Sequence, residues 1–99
     1  MTHVTCRLVT IIAEPVLEDR LTRELASLGA RGWTVTDSRG SGSRQLRASD
    51  EGAGIRLETI VSEAIAEQIV AHVAAHYFAS YAVIAWTTSV DVVRGEKYV

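Results

Sequence analysis

The stretch GWTVTDSRGSGSRQLR, Gly32 to Arg47, runs a threonine-rich, alternating segment into a Gly-Ser loop that carries Arg39, Arg44 and Arg47. Gly40 and Gly42 let the backbone take positive φ and bring its N–H groups close to an anion. Arg44 and Arg47 add planar donor forks suited to phosphate. Two readings fit this local chemistry. One is a phosphate-binding edge. The other is a hairpin tip kept soluble by its charges.

Outward from that stretch the chain divides into alternating periods. Val4 to Ala13 reads as a strand, rich in Val, Thr and Ile, and Glu14-Pro15 breaks it. Pro15, with Glu18 and Asp19 in the first turn, opens a helix. Leu17, Leu21, Leu25 and Leu28 form its buried stripe, and Gly29 closes it. Trp33 to Ser38 is a second strand. Gly40 to Gly54 is loop, with four glycines and three serines in that span and no periodicity. Ile55 to Val61 is a third strand. Ser62 caps a second helix running to about Phe78, with Ile65, Ile69 and Val73 facing inward beside Ala66 and Val70. Tyr81 to Val93 is the last strand, before the charged tail from Arg94 to Lys97.

This order, β-α-β-β-α-β, predicts an α+β, ferredoxin-like antiparallel sheet with both helices on one face. The other face does not read as polar. Cys6, Leu8 and Ile12 share one parity of the first strand, and Val9 and Ile11 share the other. In the last strand Val83, Ala85 and Val93 oppose Ala82, Ile84, Trp86, Val90 and Val92. A sheet apolar on both sides needs a second cover, which a symmetric oligomer supplies.

Ninety-nine residues with 47% apolar and 22% charged residues make a single globular domain. A net charge of −2 argues against a nucleic-acid or membrane-surface binder. The charge is uneven, however. Arg39, Arg44, Arg47 and Arg56 against Asp50 and Glu51 make a local +2, which suits a small anionic ligand or an acidic partner surface. The single cysteine, Cys6, permits no internal disulfide and no cysteine metal cluster. With no membrane-length apolar run and no leader pattern, a cytoplasmic protein is expected.

Little in the chain reads as catalysis, and no catalytic residue is assigned. His72 and His76 have metal-ligand spacing on one helix face, but no third ligand is fixed near them and Val73 stands where an HExxH glutamate would be. They read as a structural pair, and no metal site is assigned. Cys6 reads as a core residue, Trp33 and Trp86 as packing residues. Glu14 and Glu58 lack a context for acid/base work. An RNA-recognition sheet would carry aromatic residues on its third strand, and IRLETIV has none. An acylphosphatase-like loop would need glycine or arginine in AEPVL, and it has neither.

GxGSRxxR, here Gly40 to Arg47, and YFxxYAxI, here Tyr77 to Ile84, together with GARGWTVTDSRGSGSR and IRLETIV, resemble the PII signalling superfamily over nearly the whole chain. The likeness is greatest to its PII-like branch linked to inorganic carbon: the partner of the cyanobacterial sodium/bicarbonate symporter, and the carboxysome-associated PII proteins. The resemblance implies a single PII-like domain over residues 1–99 that forms a homotrimer with adenine-nucleotide sites in clefts between subunits. It implies no enzymatic activity, and a flexible T-loop at about 40–54 that changes order with ligand and contacts a target. By position, Gly40, Gly42 and Ser43 would offer backbone to the nucleotide, and Arg44 and Arg47 would grip phosphate. Glu58 and Ile60 would lie along the cleft. Thr34 and Gly32-Trp33, with Arg94, would approach from the adjacent subunit.

Departures from the nitrogen-regulatory branch shape the ligand expectation. The TGxxGDGK loop of that branch is replaced by FASYAV without lysine, so the resemblance favours AMP, ADP or cyclic AMP over ATP. The inserted Ser43 shifts Arg44 and Gln45, which argues against 2-oxoglutarate sensing. The loop has no tyrosine for uridylylation. The implied output is control of a membrane bicarbonate transporter or a carboxysome component, with bicarbonate as a co-ligand. The alternative is a metal-binding or structural trimer of the copper-tolerance type.

Overall fold

Valine, threonine and isoleucine are stiff at χ1 and suited to a pleated surface, and they fill strand β1, His3–Ala13. A computed structural model describes residues 3–40 and 52–94 of the chain. After Glu14 the chain does not enter an α-helix at once. Pro15–Leu17 forms a 3-10 turn, closed by the Leu17 N–H donating to the Glu14 carbonyl at 3.0 Å, and helix α1 spans Glu18–Leu28. Gly29 ends α1 at φ 115°. A Cβ there would stand 3.0 Å from the Ile65 side chain, so glycine serves both the left-handed cap and the contact between helices.

Strand β2, Thr34–Arg39, pairs with β3, Ala53–Val61; helix α2, Glu63–Tyr77, and strand β4, Ile84–Val93, complete the fold. The Ser62 hydroxyl caps α2 by accepting the Ile65 N–H at 3.4 Å. All ladders are antiparallel and the sheet order is β2-β3-β1-β4. The expected α+β ferredoxin-like sheet is the observed one. No helix among the described residues is long and apolar enough to cross a membrane.

Two strand starts differ from the sequence reading by more than one residue. β3 begins at Ala53 rather than Ile55, because Gly54 and Ala53 pair with Ser38 and Arg39, and the Gly40 N–H still donates to the Gly52 carbonyl at 3.1 Å. Backbone pairing overrides the poor strand propensity of glycine there. β4 begins at Ile84 rather than Tyr81. The Ser80 and Tyr81 N–H groups fold back onto the Tyr77 carbonyl, and the Ala82 N–H is taken by the Glu14 carboxylate at 2.9 Å. Those donors are spent on turn and side-chain acceptors and cannot enter the ladder.

Strand parity sorts the core. Val9, Ile11, Ala13, Ile55, Leu57 and Val61 bury against Leu21 and Leu25 of α1 and Ala66, Ile69, Val73 and Tyr77 of α2. The opposite parity presents Leu8, Ile12, Ile60, Ile84 and Trp86 on a face without helices. Ile84 and Trp86 there are 57% and 39% exposed. The open face is therefore apolar-rich and only partly shielded by its own chain.

Candidate functional site

Register brings the site together. Thr34 at the start of β2 lies directly opposite Glu58 of β3, and Glu58 lies opposite Thr10 of β1. Residues 31–33 cross from α1 to β2 beside this row. Between them is a pocket of about 390 Å³ lined by Leu8, Arg31, Gly32, Trp33, Thr34, Glu58, Thr59 and Ile60, a size typical of small-molecule sites. Its walls are an indole ring, aliphatic side chains and a few polar groups.

The Glu58 carboxylate is oriented by its neighbours. One oxygen accepts the Thr10 hydroxyl at 3.3 Å and faces an Arg56 guanidinium nitrogen at 3.4 Å. Arg56 in turn lies over the Trp86 ring, 5.8 Å from its centroid. On the helix side, the Thr59 hydroxyl donates to the Gly32 carbonyl at 2.6 Å.

Four of the residues named from sequence, Trp33, Thr34, Glu58 and Ile60, therefore line one pocket of one chain. The sequence reading has Thr34 and Gly32-Trp33 approaching a cleft from an adjacent subunit; within one chain Thr34 pairs directly across from Glu58. Gly40 is not in the pocket. Six residues of extended β2 carry it about 20 Å from Thr34, and its N–H is donated to the Gly52 carbonyl rather than left for a ligand. Arg94 follows β4, on the edge of the sheet opposite β2, at a φ of 67°. Gly42, Ser43, Arg44 and Arg47 lie outside the described residues, as does most of the expected loop at 40–54.

Sequence reasoning missed Leu8, Arg31 and Thr59. Thr59 had a visible signal: it is the one hydroxyl in the inward parity Ile55, Leu57, Thr59, Val61, and a buried hydroxyl needs a partner.

A second polar cluster joins the two helices. The Glu24 carboxylate accepts the Tyr77 hydroxyl at 2.5 Å and lies 2.9 Å from His72 Nε2 through the same oxygen. Arg20 approaches its other oxygen at 3.5 Å and lies over the Tyr77 ring. Burial pushes the Tyr77 hydroxyl up to about 12, aided by its bond to Glu24. Burial also works to raise the Glu24 carboxyl, but hydrogen bonds from Tyr77 and His72 hold it below the usual carboxylate range. His76 stacks on His72, 4.2 Å between centroids, with its Nδ1 2.9 Å from the His72 carbonyl. Among the described residues no three His, Cys, Asp or Glu side chains are grouped to hold a metal ion.

The nitrogen regulatory protein P-II family matches residues 6–97 of this sequence. The chain belongs to the P-II family. Signalling proteins of this family are non-enzymatic. The P-II chain is 55% identical to a chain described as a PII-like signalling protein from Thermus thermophilus, covering all of both chains with a TM-score of 0.88. It also superposes on CPII from Thiomonas intermedia bound to ADP, AMP and acetate, at 18% identity, TM-score 0.83, covering 99% of this chain and 98% of that one. CPII bound to ADP and bicarbonate matches over the same shares at 20% identity and TM-score 0.83. At those identities the two CPII likenesses concern the fold.

Proposed function

We propose that this P-II chain is a trimeric sensor of adenine nucleotides that reports on inorganic carbon. The observation that carries the reading is the meeting of Trp33, Thr34, Glu58 and Ile60 around one pocket beside the open sheet face. The apolar face supports assembly, since Ile84 and Trp86 stay substantially exposed on a single chain. The fold shared with CPII, a protein seen with ADP, AMP and bicarbonate, supports the ligand class.

Electrostatics orient the nucleotide. Glu58, held by Thr10 and Arg56, offers an acceptor suited to ribose hydroxyls or a base amine, and Trp33 offers an aromatic surface, so the base and ribose are assigned to the pocket. Phosphates then extend toward the loop that bears Arg44 and Arg47. FASYAV has no lysine for a third phosphate, and its backbone is turned back onto Tyr77 and Glu14, which favours AMP, ADP or cyclic AMP over ATP. Bicarbonate is the proposed co-ligand, and a membrane bicarbonate transporter or carboxysome component the proposed target.

Calorimetric titration with AMP, ADP, ATP and cyclic AMP tests the reading. Binding of at least one of the first two, tighter than ATP, is expected. No heat from any of them at millimolar concentration would sink it.

A further inference from the structure

We infer that Thr59, a residue of the sheet's helix-facing side, is the positioning residue of the pocket rim; the inference rests on the nucleotide reading for its consequence, though not for its geometry. Thr59 is 2% exposed and sits opposite Val9 in the β1–β3 ladder. Its neighbours of the same parity are aliphatic and bury against the helices. A hydroxyl in that row loses water and must find an acceptor. It finds the Gly32 carbonyl at 2.6 Å.

The bond lands where the backbone has left regular structure. Ala30 makes the last helix-end bond, to the Leu25 carbonyl, and strand pairing resumes only at Thr34. Residues 31–33 between them form the rim. A Cβ placed on Gly32 would meet nothing within 4 Å, so packing does not hold this segment at Gly32. The Gly32 carbonyl and the Trp33 N–H belong to one planar trans peptide and point in opposite directions. By fixing the carbonyl inward, Thr59 fixes the opposite direction of the Trp33 N–H and restrains where the Trp33 Cα, and so its side chain's anchor, stands. The hydroxyl thus acts on ligand through Gly32 and Trp33.

Thr59→Val keeps the volume and strand preference and removes only the donor; Thr59→Ser restores it. In Thr59→Val without ligand, amide exchange at Gly32, Trp33 and Thr34 should quicken far more than at core amides, and the urea midpoint should fall modestly, as loss of one buried hydrogen bond requires. ADP affinity should fall about five- to ten-fold, because a rim no longer held in place must be ordered on binding, and Thr59→Ser should recover both. Unchanged rim exchange overturns the inference. Faster exchange with undiminished ADP affinity also overturns it, leaving a bond with a structural role alone. A wild-type chain that binds no nucleotide defeats the functional reading, and rim exchange in the free protein still decides the geometry. A measurement on the unaltered protein guards against a variant that fails to fold. The Thr59 hydroxyl proton should give a slowly exchanging resonance in contact with the 32–33 backbone, and its absence overturns the inference.

Discussion

Glu58 shows how much one side chain decides. It faces a pocket proposed to receive an anionic ligand, and Arg56 and Thr10 hold it as an oriented acceptor. An acceptor so placed suits ribose hydroxyls or a base amine, and the phosphates are proposed to meet the arginines of the loop. Arg44 and Arg47 should each supply a charge-assisted bond there, about 1.5–3 kcal/mol when well formed. Arg47→Ala should therefore weaken ADP binding about ten-fold or more and leave assembly unchanged. Unchanged calorimetric affinity in both single arginine variants would place the phosphate site elsewhere. Trp33, Thr34, Glu58 and Ile60 could be picked from sequence because the motif fixes their place on two adjacent strands. Thr59 escaped because parity assigns it to the core, and its acceptor lies 27 residues away. The start of β3 at Ala53 escaped because ladder extension depends on pairing, which a glycine-rich sequence leaves unmarked.

The helices are joined by chemistry that no periodicity reveals. Leucine spacing, the Ser62 cap and Gly29 define α1 and α2 well, since each is a local signal. The 3-10 turn at Pro15–Leu17 and the late start of β4 depend on where Glu14 sends its carbonyl and its carboxylate, and so were not legible. Nor was the Glu24–Tyr77–His72 cluster, which joins residues about fifty positions apart. That cluster has a pH signature. The lowered Glu24 carboxyl contributes stability above its ordinary value of 4.5, lost as pH falls through its depressed value. The raised Tyr77 hydroxyl contributes below 10.0, and that part is lost as pH rises toward about 12. Tyr77→Phe should thus cost about 1–3 kcal/mol near neutrality, with the difference from wild type shrinking at both extremes. Urea unfolding across pH checks this. A difference that stays constant from acid to alkali would show that packing, not the Glu24 bond, sets the role of Tyr77.

At the scale of the molecule, one sheet serves two purposes. Its helix-facing side makes the core. Its other side, with Leu8, Ile12, Ile60, Ile84 and Trp86, is the surface proposed for trimer formation, and the pocket opens beside it because Leu8, Glu58 and Ile60 belong to that same parity. In the proposed reading, β2 and β3 are the strands through which ligand could alter a surface that a target reads. We propose that an adenine nucleotide sits between Trp33 and Glu58. Backbone amide shifts in a titration with ADP test it most directly. The largest changes are expected at Gly32 to Thr34 and Glu58 to Ile60, with further changes across 40–54. Changes centred on His72 and His76, or none at saturating ADP, would contradict it.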